Sequence, residues 1–110
     1  MRIISNLIHY YHAKNQMSEA TIERTVCAFA KTHGIATLKL SGPSDRGKAD
    51  RLFMKNGKVI FIEFKAKGKV PTKLQERFLE ERRNDYFFAE YTDCIEKGKR
   101  MLINNFNLYL

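Results

Sequence analysis

Asn56-Gly57, set between the apolar runs 52–54 and 59–62, constrains this chain more than any other pair of residues in it. Two-residue loops of this kind close type I′ hairpins, because both central positions need positive φ and Asn and Gly tolerate it. A turn there predicts Lys55 opposite Lys58. Pairing then runs outward through Met54–Val59, Phe53–Ile60, Leu52–Phe61 and Arg51–Ile62 to Asp50–Glu63. Directly opposed residues keep their Cβ atoms roughly 4.5–5.5 Å apart. Side chains alternate along a strand, so Lys65 shares the face of Glu63, about 7 Å away along the chain. The hairpin therefore gathers two carboxylates and one amine at its open end.

Two adjacent carboxylates repel, and the usual remedies are a shared proton or a divalent cation. A hard cation such as Mg²⁺ prefers carboxylate oxygens and keeps several waters, which suits a site that opens toward a phosphate. Lys65 in such a site stabilises charge developing on phosphorus or orients the attacking water. The alternative is a cross-strand salt bridge at a strand end, with Asp50 in a turn and no chemistry attached.

Around the hairpin, helical and strand periods alternate. Ile3, Ile4, Leu7, Ile8 and Tyr11 recur at helical spacing and predict an amphipathic helix over the first fifteen residues. Ser18 reads as the N-cap of a second helix, with Ile22, Val26, Phe29, Ala30 and His33 on one stripe and Gly34 as terminator. Glu19 falls within that stripe and Glu23 at its edge. A first-turn acid favoured by the helix dipole accounts for Glu19, whereas Glu23 lies one turn deeper, where the dipole gives less. Residues 35–40 read as a strand in which Lys39 points away from Leu38 and Leu40. Residues 41–48 read as a loop carrying Arg46 and Lys48. After Lys65 a turn bears Lys67 and Lys69. A third helix follows from Thr72 to about Asn84, with Leu74, Phe78 and Leu79 inward, Lys73 and Arg77 adding charge, and Thr72-x-x-Gln75 fitting a capping box. Residues 86–92 are strand-like and 94–104 form a last helix. Phe106, Leu108 and Leu110 alternate at the terminus, an apolar tail that packs on this chain or on another.

Gly47-Lys48-Ala49-Asp50-Arg51, then Phe61-Ile62-Glu63-Phe64-Lys65-Ala66-Lys67-Gly68, then Gln75, together resemble the PD-(D/E)XK nuclease signature. More narrowly they resemble the virus-type replication-repair nuclease domain, VRR-NUC, whose pattern runs helix Glu, Gly-x-Pro-Asp, Glu-x-Lys and a helical Gln. The likeness spans roughly residues 18–91, and Ala49 departs from the family's Pro without touching a metal ligand. Stand-alone domains of this family occur in bacteriophages. The resemblance implies an α/β, restriction-endonuclease-like fold, a central mixed β-sheet flanked by helices. It also implies a structure-selective DNA endonuclease dependent on Mg²⁺ or Mn²⁺. Asp50, Glu63 and the Phe64 backbone carbonyl would hold the metal, with Glu23, or else Glu19, as the helix acid. Lys65 would be catalytic and Gln75 would approach the site. Lys39 falls where a family lysine stands, although a solvated strand lysine explains it as well. A homodimer acting on four-way junctions or other branched DNA is the expected form, with flap or fork cleavage as the alternative. The expected interface is the apolar stripe 3, 7, 8 and 11 together with the tail.

Composition agrees with a polyanionic partner. At 110 residues the chain is one domain, with 1–17 an added helix, 18–92 the core and 93–110 the last helix and tail. Twenty Lys plus Arg against twelve Asp plus Glu leave a net charge of +8, which favours nucleic acid by steering and counterion release. Arg46, Lys48, Arg51, Lys67, Lys69, Lys73 and Arg77, with Lys39, are the candidate phosphate contacts. No apolar stretch reaches membrane-spanning length and no signal peptide is evident, so a cytoplasmic protein is expected, in the bacterial host if phage-encoded. Cys27 and Cys94 then read as reduced thiols. Among rivals, a glycosidase would lack a Trp platform, and a membrane-surface helix would have only Arg2 and Lys14 as cations. A catalytically inactive, basic nucleic-acid-binding module would keep the charge and lose the metal. His9 and His12 have the i, i+3 spacing of metal ligands but no third ligand nearby.

Overall fold

The computed structural model describes residues 17–40, 47 and 49–109. The expected first helix with Ile3, Leu7, Ile8 and Tyr11, the His9–His12 pair, Arg46, Lys48 and Leu110 lie outside the described residues. Three helices and four strands follow one another as α1 (Glu19–Thr32), β1 (Ala36–Lys39), β2 (Arg51–Lys55), β3 (Lys58–Phe64), α2 (Lys73–Asn84), β4 (Phe88–Thr92) and α3 (Ile95–Asn105). The sheet order is β1-β2-β3-β4, with β1, β2 and β3 antiparallel and β4 parallel to β3. The fold is therefore α/β with a mixed sheet.

The hairpin forms in the register that Asn56-Gly57 dictates. Both turn residues sit at positive φ, 51° and 81°, and the ladder runs from Lys55↔Lys58 to Arg51↔Ile62. There it stops. Asp50 bends out of the strand, one residue before β2, and its side chain rather than its backbone continues the contact with β3.

Alternation sends Phe53, Ile60, Ile62 and Phe64 to one face of the sheet. There they pack on Ile22, Val26 and Ala30 of α1 and on Met101 and Leu102 of α3. Gly98 permits that approach, since a Cβ there would stand 2.8 Å from Val26 Cγ2. On the other face α2 lays Leu79 against Ala49 and Ala89, with Phe61, Phe78 and Tyr91 around them. α1 begins as expected, Ser18 Oγ accepting the Thr21 N–H at 3.2 Å, and ends at a left-handed Gly34.

Three expectations are corrected. Leu74 is 58% exposed rather than inward, because only the Phe78 and Leu79 side of α2 meets the sheet. Tyr86 is not in the last strand; it takes φ of 71° directly after the Asp85 cap and gives its N–H to Arg83 O, closing α2. The tail is not spare apolar surface either. Its residues turn back, the Leu108 N–H donates to Ile103 O at 3.1 Å, and Leu108 is buried in the main core with Phe106 packed beside it.

Candidate active site

The site lies where β3 ends, between the N-termini of α1 and α2. Glu63 is its buried element, 1% exposed on the last turn of β3's alternation. Its Oε1 accepts from Gln75 Nε2 at 3.1 Å and lies 3.9 Å from Lys65 Nζ. Its Oε2 is buried and meets no donor. Asp50 faces it from the bend before β2, where Oδ2 accepts the Phe64 N–H at 2.8 Å and the backbone carbonyl accepts the Leu40 N–H at 2.8 Å. The end of the sheet thus holds Asp50 on both sides, toward β1 and toward β3.

Electrostatics follow from that packing. Burial pushes the Glu63 carboxyl up to about 8, and the charge of Asp50 and a hydrogen bond with it add to the rise; Lys65 opposes it. A proton shared with Asp50 is one remedy for this pair, and a cation is the other. The donor chemistry suits a hard divalent ion: two carboxylates, one of whose oxygens is buried without a donor. Among the described residues no group of three or more His, Cys, Asp and Glu is drawn together tightly enough to hold a metal ion. Two carboxylates completed by backbone oxygen and water match the habit of Mg²⁺, which keeps much of its hydration.

Gln75 performs two duties with one side chain. Its N–H donates to Thr72 Oγ1 at 3.2 Å and its Oε1 accepts the Thr72 N–H at 2.9 Å, a complete capping box, which leaves Nε2 for Glu63. The cap fixes the amide, and the amide fixes Glu63.

The two helix acids are placed differently. Glu23 is taken up by cations: Arg51 Nε donates to its Oε2 at 2.6 Å and Lys39 Nζ at 3.0 Å. Burial raises this carboxyl, but those two hydrogen bonds outweigh it and hold it below the usual value. Glu19 has no such partner among the described residues. Burial raises it, as does the charge of Asp50, while Lys65 lowers it, so Glu19 stands in the field of the site itself. Sequence periodicity put both acids near one stripe; what separates them is the side chain of Arg51, which packs under α1 because Arg51 pairs with Ile62 on that face.

Of the candidate phosphate contacts, Lys67, Lys69, Lys73 and Arg77 are exposed on the turn after β3 and the start of α2. Lys39 and Arg51 are committed to Glu23. A cavity of about 350 Å³, lined by Met17, Ile22, Lys67 and Cys94 among others, adjoins this turn but contains none of the site's acids.

No family model matches the chain. It is 40% identical over 60 residues to a protein named "Putative nuclease p44" from Acyrthosiphon pisum secondary endosymbiont phage 1, a match covering 54% of this chain and 64% of that protein. The chain thus spans less than two thirds of that relative's length. A solved structure described as a VRR_NUC domain superposes with a TM-score of 0.69 at 21% identity, over 86% of this chain and 99% of the other. The sheet order, the three helices and that superposition agree: the chain has the fold of a VRR-NUC domain.

Proposed function

We propose that this chain is a divalent-metal-dependent deoxyribonuclease that hydrolyses phosphodiester bonds in branched DNA, working as a homodimer in the cytoplasm of a bacterial host. The observation that carries the reading is the convergence of Asp50, Glu63 and Lys65, with Gln75 locked onto Glu63 and one buried Glu63 oxygen left without a donor. The phage nuclease likeness and the net charge of +8 support a DNA substrate. Among the described residues no helix is long and apolar enough to cross a membrane.

Asp50 and Glu63, with the Phe64 backbone carbonyl, would hold Mg²⁺ or Mn²⁺. When bound, the ion supplies Lewis-acid stabilisation of charge on the phosphoryl oxygens. Lys65, anchored by its own N–H to Thr92 O at 2.9 Å, stabilises the charge that develops on phosphorus or orients the water. Gln75 keeps Glu63 aimed at the site. Lys67, Lys69, Lys73 and Arg77, with Arg46 and Lys48, fix the backbone without reading sequence.

Incubation with four-way junctions, flaps, forks and linear duplex, in Mg²⁺, Mn²⁺ or EDTA, tests the reading directly. Cleavage of branched DNA that EDTA abolishes is the expected result. Binding without cleavage under every metal would leave only a nucleic-acid-binding module.

We assign the helix acid of the site to Glu19, whose charge faces Asp50 and Lys65, and a holding role to Glu23. Glu19→Gln should lower cleavage by about tenfold or more with the melting temperature kept, as loss of one electrostatic partner of the reacting centre does. Glu23→Gln should instead cost stability, about 1–3 kcal/mol, because it leaves two cations without their shared anion. Equal melting temperatures and a larger activity loss in Glu23→Gln would reverse the assignment.

A further inference from the structure

In the stretch that leads from the site into α2, cations and apolar side chains interleave. Lys67, Lys69, Lys73 and Arg77 are exposed, and among them Val70 is 67% and Leu74 58% exposed. Both aliphatics stand at the mouth of the site: Val70 follows the turn after Lys65, and Leu74 precedes Gln75, whose Nε2 holds Glu63. The segment that carries them is stiff. The Lys67 N–H donates to Met17 O at 3.3 Å, the Gly68 N–H to Asp93 Oδ2 at 2.9 Å and the Lys69 N–H to Ala66 O at 2.9 Å. Pro71 then restricts Val70 to extended backbone, and the capping box seats Leu74 in the first turn of α2. From the other side Gly47 lies against Leu74, where an added Cβ would stand 2.8 Å from Leu74 Cβ.

Phosphates are met by charge and are alike on linear and branched DNA, so the lysines by themselves do not choose between the two. The aliphatic pair adds a different chemistry, a surface that suits the face of a base. We propose that Val70 and Leu74 form an apolar wedge that enters the DNA at a branch point, against the bases beside the phosphate to be cut. The wedge rests on the nuclease reading and names the residues that select its substrate. The charge around the patch commits it to nucleic acid: four cations flank the two side chains, and Glu76, the acid among residues 66–79, is turned onto Arg83 at 3.0 Å.

Selectivity follows from stacking. An aliphatic side chain pushed between the base pairs of continuous duplex breaks a stacked step and meets its full cost. At a branch the stack is already interrupted, so that cost falls while the apolar contact is kept. The difference favours branched DNA without any base-specific contact. Such a wedge needs a stiff support, because a loop that had to be ordered on binding would lose the advantage to its own entropy.

Four-way junctions carrying 2-aminopurine beside the crossover, whose fluorescence rises when the base unstacks, read the wedge in EDTA without any cleavage. The parent should raise the emission on junctions and not on linear duplex carrying the same base. Val70→Thr combined with Leu74→Gln should abolish the rise. Both changes keep the charge, and Gln keeps the Cβ that meets Gly47 and the helix propensity of Leu, so the melting temperature should hold. With Mg²⁺ the ratio of junction to duplex cleavage should fall about tenfold in this variant. Leu74→Met, apolar and unbranched, should keep the preference. Lys69→Ala should instead weaken binding to both DNAs alike and lower the salt slope by about one. A parent that leaves the emission unchanged, or a double variant that keeps the rise or the ratio, overturns the wedge. So does a double variant whose sedimenting mass changes while the DNA readouts stay, since the patch would then be a contact between protein chains. Absence of cleavage from every substrate removes the nuclease reading, while the emission in EDTA still decides the wedge.

Discussion

Asp50→Asn and Glu63→Gln are each expected to reduce DNA cleavage by about 10³-fold or more while leaving DNA binding within a few-fold. Each removes a carboxylate that would hold the ion, and neither adds negative charge to the basic surface proposed to meet phosphates. Glu63→Gln carries a second, opposite signature. The Glu63 carboxyl is raised in the fold from 4.5 to about 8 by burial first and by Asp50 second. A raised acid contributes stability that is complete below its ordinary value and is lost as pH rises through the folded one, so the metal-free protein weakens between those two limits. At about 1.4 kcal/mol per unit the loss amounts to a few kcal/mol. A glutamine fills the same space without a charge. In EDTA at alkaline pH the Gln variant should therefore melt above the parent, and Mg²⁺ should raise the melting temperature of the parent alone. Parent-like cleavage in either variant, or melting curves that coincide at every pH, would show that this pair is not a metal site.

How much of this was legible in the sequence differs by residue, for physical reasons. The hairpin was legible because Asn56-Gly57 acts through backbone sterics, and every pairing from Lys55↔Lys58 to Arg51↔Ile62 follows from one turn. Gln75 was legible as a cap and, through the family likeness, as a neighbour of the site; only coordinates show that Nε2 remains free to do the second job. Glu19 and Glu23 were not separable, because a helical wheel places Cβ atoms and says nothing of a long arginine reaching in from β2. Leu74 and the tail misled for a related reason. Periodicity marks apolar residues but not the width of the surface they meet: α2 covers its sheet face with Phe78 and Leu79, while the turn after α3 tucks Leu108 into the core.

Lys65→Ala should lower kcat by about 10²–10³-fold with little change in KM. The amine has the position for it: the side chain is 15% exposed and Nζ lies 3.9 Å from Glu63 Oε1, at the open end of β3. On the proposed reading substrate binding falls to Lys67, Lys69 and Lys73, which are exposed on the adjoining turn and helix start, so the loss should fall on turnover. The variant should also shift the pH dependence in a direction the charges dictate. Lys65 is the cation that opposes the rise of Glu63; without it the carboxyl holds its proton to still higher pH. If the ionised carboxylate is the working form, the onset of activity must move to more alkaline pH in Lys65→Ala, and at pH high enough to ionise Glu63 the metal affinity should return close to that of the parent. Lys65→Arg should restore the pH position better than the rate, since a planar guanidinium supplies the charge but not the compact donor geometry of an ammonium. Steady-state rates across neutral and alkaline pH distinguish these effects. A loss confined to KM would place Lys65 among the phosphate contacts instead, and an unchanged pH onset would mean that Glu63 does not feel its charge.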